Sequence, residues 1–235
     1  MHRIEIAETV LARIRQRRGS LHMYETINPR RTAHVVVDLQ NGFMAPGQVA
    51  EIATAREIVP NVNRISVALR AAGGIVVYIQ NTFDPQTIAG WGTFFDHFCT
   101  PARRAEMIHA FTPGNFGHEV YAGLEVLADD LKVIKRRYGA FVPGSSDLHA
   151  ILAARGIDTI IVTGTATNIC CESTARDAMM MDYKVLFVAD GNATHTDAEH
   201  NATLTVMANG FADVVTTDEM VALIAGPAVL SAAAE

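Results

Sequence analysis

The chain has 235 residues, 49% hydrophobic and 19% charged, and its 19 basic and 25 acidic side chains leave a net charge of −6. That suits one folded domain with a small appendage and excludes a basic surface built for nucleic acid or anionic membrane. The opening residues lack a signal-peptide pattern, no apolar run approaches the roughly 20 residues of a membrane span, and three cysteines are too few for a disulfide framework, so the expected setting is cytoplasmic with reduced thiols.

Residues 1–30 read as an extension. "EIAETVLARIRQRR" sets apolar and basic residues at helical spacing, which predicts a helix on the surface or on a neighbouring subunit, and "GSLHMYETINPRR" reads as an irregular arm. Six short apolar runs follow: "AHVVVDLQ" (33–40), "GIVVYIQ" (74–80), "LKVIK" (131–135), "TIIVTGT" (159–165), "KVLFVAD" (184–190) and "ADVVTT" (212–217). Continuous runs of this kind suit strands buried on both faces. Helical segments alternate with them. "AREIVPNVNRISVALRAAG" ends in a glycine stop, "SSDLHAILAARG" opens on serine caps, and "ICCESTARDAMMMDY" and "DAEHNATLTVMANG" complete the set. The alternation predicts a three-layer α/β/α domain over 31–228 with a parallel sheet, leaving 229–235 as a frayed tail. The stretch 81–128, rich in phenylalanine and holding Trp91, is expected to cover a pocket instead of adding a strand.

In such sheets ligands bind beyond the carboxyl ends of the strands. Asp38 ends the first run, Lys135 ends the third, and the fourth leads into the loop that delivers Cys170. A helix N-terminus and a nearby cation are expected to lower the Cys170 pKa, while Asp38 takes the thiol proton. The small residues Gly164, Thr165 and Ala166 allow a tight turn whose N–H groups can hold an oxyanion. The adjacent Cys171 leaves other readings open, namely plain packing or a redox pair. A redox pair favours Cys-x-x-Cys spacing, because adjacent cysteines close only a strained disulfide.

Together "VVVDLQNGF", "VIKRRYGAF" and "VTGTATNICCESTARDA" resemble the isochorismatase-like cysteine hydrolases, over residues 32 to 225. The resemblance implies a six-stranded sheet in Rossmann-like order and a catalytic triad of Asp38, Lys135 and Cys170. It also implies a cis peptide at Thr165–Ala166 and an oxyanion hole from the N–H groups of Ala166 and Cys170. The "TNxCxEST" form is most similar to the ureidoacrylate and carbamoyl-amide branch. Nicotinamidases carry a metal-holding Asp-x-His pair where this chain reads "IQNTFDPQTIAGWG", so no metal and no cofactor is expected. True isochorismatases lack the nucleophilic cysteine, which argues against vinyl-ether hydrolysis. The expected function is therefore an amidohydrolase cleaving a C–N bond in a small linear amide or ureido compound. An ester or isochorismatase-type hydrolase in the same site, and a non-catalytic binding member of the fold, are the alternatives.

Asn41, Phe43, Trp91, Tyr138, Phe141 and Asn168 are the pocket candidates, and Arg136 and Arg137 are candidates to receive a substrate carboxylate. In a helix starting near 169, neighbours point about 100° apart, so Cys170 and Cys171 cannot share a face. Cys170 is expected to lie with Thr174 and Asp177, and Cys171 with Ala175, Ala178 and Met179. The apolar stripe of the N-terminal helix and the family's habit of association predict a homodimer or homotetramer with residues 1–30 at the contact. The expected partner beyond that is a small-molecule substrate, not nucleic acid or membrane.

Overall fold

The computed structural model describes residues 1–226, so the tail 229–235 lies outside the described residues. Six strands form one parallel sheet: β1 (Thr32–Val37), β2 (Ile75–Asn81), β3 (Leu131–Lys135), β4 (Thr159–Thr165), β5 (Lys184–Ala193) and β6 (Asp213–Val215). Their order is β3-β2-β1-β4-β5-β6. The chain reverses direction of growth between β1 and β4, the place where a doubly wound sheet opens a crevice. The helices are α1 (Glu8–Arg18), α2 (Asn41–Met44), α3 (Val59–Ala71), α4 (Pro85–Gly90), α5 (Gly92–His97), α6 (Pro101–Phe111), α7 (Leu148–Ala154), α8 (Glu172–Met180), α9 (Asp197–Gly210) and α10 (Thr217–Ala225).

Strand residues alternate between the two faces of the sheet. Val35, Val37, Val162 and Phe187 join Leu148, Leu152, Ala175, Ala178, Leu204 and Met207 in a core under α7, α8 and α9. Val36 faces α3 on the opposite side, and Ile161, Leu186 and Val188 pack there against Ile65, Leu69, Met220 and Ile224 of α3 and α10. β3 departs from the continuous pattern. It is an edge strand, and Lys132 and Ile134 point to solvent while Val133 and Lys135 point in. β6 is shorter than its apolar run, because Thr216 and Glu219 close a capping box that starts α10. The serine expected to cap α7 is displaced one place: Asp147 is the cap residue, and Ser146 Oγ accepts from the Leu148 N–H.

Residues 81–128 fold into the short helices α4, α5 and α6. Phe83, Phe94, Phe95 and Phe111 bury one another there, with Trp91 stacked on Phe94 at 4.6 Å. The N-terminal arm docks on its own chain. Ile14 of α1 is buried, Arg17 and Arg18 donate to backbone carbonyls at the end of α9, and Met23 N–H donates to Asp213 of β6. Among the described residues no helix is long and apolar enough to cross a membrane.

Candidate active site

β1 ends in a turn that exists for one side chain. Asp38 takes a left-handed conformation, φ 55°, which Asp tolerates better than most residues, and this aims its carboxylate into the crevice. Gly164 on β4 lets the two strands close there, since a Cβ at that position would meet Val37 O at 2.1 Å. Lys135 comes from β3, two strands away, and its long side chain passes Asn81 at the end of β2 to reach the same point. Nζ stands 2.7 Å from Asp38 Oδ2, 3.5 Å from Cys170 Sγ and 3.4 Å from Asn81 Oδ1. Gln40 fixes Asn81 from behind, accepting from its N–H at 2.7 Å and donating to its carbonyl at 3.1 Å.

After β4 the Thr165–Ala166 peptide is cis. The chain then enters a π-helical turn, Thr167–Cys171, that runs directly into α8. Turns of this kind widen a helix locally and recur at functional sites. The helix thus begins before residue 169, but adjacent residues still face apart. Cys170 looks into the crevice. Cys171 is fully buried with Ala175 and Ala178 in the core beneath α8, whereas Met179 is 42% exposed and leaves that stripe. Thr174 does lie toward the Lys135 loop, where its hydroxyl accepts from the Ala140 N–H, and Asp177 abuts Gly139.

Asp38 and Lys135 are fully buried and Cys170 nearly so, and burial dominates their chemistry. It pushes the Asp38 carboxyl up, against the opposing charge of Lys135. It pushes the Cys170 thiol up to about 12, with Lys135 pulling down and Asp38 pushing further up. Burial works against the Lys135 ammonium too, but Asp38 and Cys170 outweigh it and raise its pKa. The lowered thiol pKa expected from the sequence therefore gives way to a neutral resting thiol, because desolvation outweighs one cation. The Lys135 ammonium holds Asp38 at 2.7 Å, and the Cys170 thiol is also within hydrogen-bonding reach of the carboxylate. Moving the thiol proton to Asp38 changes no net charge, since Lys135 stays balanced by one anion before and after. The Cys171 thiol lies well above its ordinary pKa through burial.

A cavity of about 200 Å³ opens in front of Cys170 and Ala166. Phe43, Trp91 and Tyr138 line it, as do Asn81, Arg103, Met107 and His195, which pattern reading missed. Asn81 was accessible to the strand-end rule as the last residue of β2; the others sit on segments without strand or helix periodicity. Three pocket candidates lie elsewhere. Asn41 is buried and donates to Phe116 O, tying α2 to the loop after α6. Phe141 packs against Tyr183 in the core, 5.4 Å between rings. Asn168 points away from the cavity and accepts from Thr194 Oγ1 at 2.7 Å. Arg136 pairs with Asp84 at 2.7 Å, and Arg137 donates to Gly90 O while lying 5.3 Å over the Trp91 ring, so neither guanidinium is free for a substrate.

A family model described as the isochorismatase domain matches residues 32–219. The chain belongs to the isochorismatase family. Among solved structures, a cysteine hydrolase from Pseudomonas syringae pv. phaseolicola is 32% identical, with a TM-score of 0.78 over 87% of this chain and 97% of that one. N-carbamoylsarcosine amidase from Thermoplasma acidophilum is 28% identical, with a TM-score of 0.62 over 80% of this chain and 97% of that one. A relative from Arabidopsis thaliana, named a probable inactive nicotinamidase, is 31% identical over 182 residues, 77% of this chain and 89% of its own.

Beside the pocket of this isochorismatase-family chain, the acidic side chain of the "NTFDP" segment is already engaged. Asp84 caps α4 through the Thr87 N–H and is held by Arg136, and among the described residues no group of three or more His, Cys, Asp or Glu is placed to bind an ion. The Cys170 loop is clamped from behind by the N-terminal arm. His2 accepts from the Thr194 N–H at 3.0 Å, pairs with Asp197 at 2.7 Å and stacks on His200 at 4.4 Å. His200 holds Thr167 Oγ1 at 2.9 Å, and Thr194 holds Asn168.

Proposed function

We propose that the protein is a metal-independent cysteine amidohydrolase acting on small linear amides or ureido compounds. The observation that carries this reading is the buried Asp38–Lys135–Cys170 group at the floor of the cavity. The Cys170 thiol gives its proton to Asp38 as sulfur attacks the substrate carbonyl carbon, and the C=O electron pair moves onto oxygen. The Ala166 N–H, which has no acceptor among the described residues, and the Cys170 N–H receive that oxyanion. When the carbonyl re-forms, the C–N bond breaks and Asp38 returns the proton to the departing nitrogen. Water then adds to the thioester carbonyl, giving a proton to Asp38; as the carbonyl re-forms the C–S bond breaks, the acid leaves, and Asp38 returns that proton to the Cys170 sulfur. Lys135 keeps the cluster neutral throughout.

Support from relatives is of two kinds. The N-carbamoylsarcosine amidase points to C–N cleavage, and the relative named inactive points to a non-catalytic member. A panel of amides, ureas and esters, read by ammonia or amine release for the first two and by alcohol release for the esters, run with and without EDTA and with Cys170→Ala as control, separates them. Release that is Cys170-dependent and unaffected by EDTA is the expected result. Turnover confined to esters, or absent from the whole panel, sinks the reading. We further propose a cytoplasmic homodimer or homotetramer. The apolar stripe of α1 faces its own chain, so the assembly rests on family resemblance, and a monomer mass in light scattering would remove it.

A further inference from the structure

The turn that carries Cys170 has an uncommon hydrogen-bond register. In an α-helix the Cys170 N–H would pair with the carbonyl four residues back, on Ala166. Here the Ala166 carbonyl accepts from Ile169 at 3.1 Å and from Cys171 at 3.2 Å, and not from the Cys170 N–H between them. The wider π-turn over Thr167–Cys171 thus keeps that N–H from Ala166, beside the cavity that Cys170 lines. Such turns are rare, so something must favour this register over the α one. Side chains from outside the turn pin its first two residues. Thr167 and His200 are fully buried, with Oγ1 and Nδ1 2.9 Å apart. His200 Nε2 is turned to the Ala189 carbonyl, so the ring proton belongs there and Nδ1 accepts from the Thr167 hydroxyl. Asn168 accepts from Thr194 Oγ1. The imidazole is itself fixed, since it sits in the first turn of α9 and His2 stacks on it.

We infer that the Thr167–His200 hydrogen bond is a register lock: it holds the Cys170 turn in its π form and so spares the Cys170 N–H for the substrate oxyanion. This rests on the amidohydrolase reading and adds to it what keeps that donor free. Neither Thr167 nor His200 lines the cavity, so both are positioning residues. Without the lock the turn gains a hydrogen bond by relaxing to the α register, and the Cys170 N–H passes to Ala166. A donor to an oxyanion is worth roughly 10²–10³ in rate. Relaxation therefore costs turnover, while the aromatic walls that bind the ground state stay in place.

The test uses paired variants of the intact protein. Thr167→Val removes the hydroxyl with little change of shape, and Thr167→Ser keeps it. His200→Ala removes the acceptor, and His200→Asn keeps an amide oxygen near the place of Nδ1. Three readouts are taken: kcat and KM for an amide from the panel above, the rate at which iodoacetamide labels Cys170, and protection of Cys170 from that label by propionaldehyde. The thiol adds across the aldehyde C=O: the S–C bond forms, the π pair moves onto oxygen, and the thiol proton follows it by way of Asp38. That step needs no hydrolysis. Thr167→Val and His200→Ala should each lower kcat roughly 10- to 100-fold with KM changed less than about two-fold. Each should weaken aldehyde protection about ten-fold and leave labelling without aldehyde unchanged. The double variant should be no worse than either single one, because both break the same bond. Thr167→Ser and His200→Asn should recover most of the loss. Either pair decides the matter if a member of the other fails to fold. Unaltered kcat and protection in Thr167→Val, or effects that add in the double variant, overturn the lock while Cys170-dependent amide cleavage stands. Labelling that falls in step with kcat also overturns it, since that marks general damage to the loop. If protection depends on Thr167 and His200 but no amide is cleaved, the reaction assignment fails and the lock stands.

Discussion

At the scale of single residues, two adjacent sulfurs meet opposite surroundings. Cys170 shares a neutral three-group cluster with Asp38 and Lys135, whereas Cys171 is packed among alanines beneath α8. Cys170→Ala is expected to abolish turnover. Cys171→Val should keep most activity and cost about 1 kcal/mol of stability. Trapping the acyl adduct by mass spectrometry checks this, and an adduct on Cys171 contradicts it. Asp38→Asn makes a sharper case. It removes the proton acceptor, so turnover should fall at least ~10³-fold. It also removes the charge that pushes the thiol up, so iodoacetamide should label Cys170 faster than in the unsubstituted protein. Slower labelling would mean that Asp38 helps to ionise the resting thiol. The clustering of Asp38, Lys135 and Cys170 was legible in the sequence because each sits at or just beyond the carboxyl end of a strand. The thiol's raised pKa was not, because desolvation depends on what covers a residue and no motif records that.

At the scale of elements, legibility followed burial. β1, β2, β4 and β5 are central strands, and their unbroken apolar runs are the direct imprint of two covered faces. The π-turn left no trace, since its residues would equally suit an α-helix. The cover helices α4, α5 and α6 were also hidden. Their aromatic residues pack on one another at angles that follow no helical period, and Arg103 and Met107 stayed hidden with them. The arm was visible as a helix, but its hold on the nucleophile loop was not, because His2 and Thr194 lie 192 positions apart. His2→Ala, or removal of residues 1–7, is expected to lower kcat about ten-fold with little change in KM, because the loop loses its backing while the cavity keeps its walls. Unaltered kcat in a folded truncation would show that the loop needs no such support.

At the scale of the whole molecule, acid is the natural weakness. His34 lies fully buried on β1 between Ser66 Oγ at 2.9 Å and Thr163 Oγ1 at 2.8 Å, and burial, with the charge of Arg70, holds its pKa down to about 3. His200 is held down to about 4, by burial first and then by His2. An unfolded chain protonates both near pH 6.5, so between that value and about 4 the unfolded state binds more protons and stability falls as pH falls. Each histidine contributes roughly 1.4 kcal/mol per pH unit in that window. Asp38, whose pKa is raised by burial, works in the opposite direction. Urea denaturation at pH 6.5 and pH 4.5 should show the loss, and His34→Asn should flatten it. Equal slopes in the two proteins would place the acid sensitivity elsewhere. The clamp on the nucleophile loop also bears on how the protein is made. The arm is synthesised well before its partners Thr194, Asp197 and Asp213, which follow their contacts in the arm by 190 to 195 positions. Contacts of such long range form late. A nascent chain that has passed residue 170 already holds Asp38, Lys135 and Cys170 but has nothing to brace the loop that carries the sulfur. The brace on that loop can therefore form only once Thr194 and Asp197 have been made.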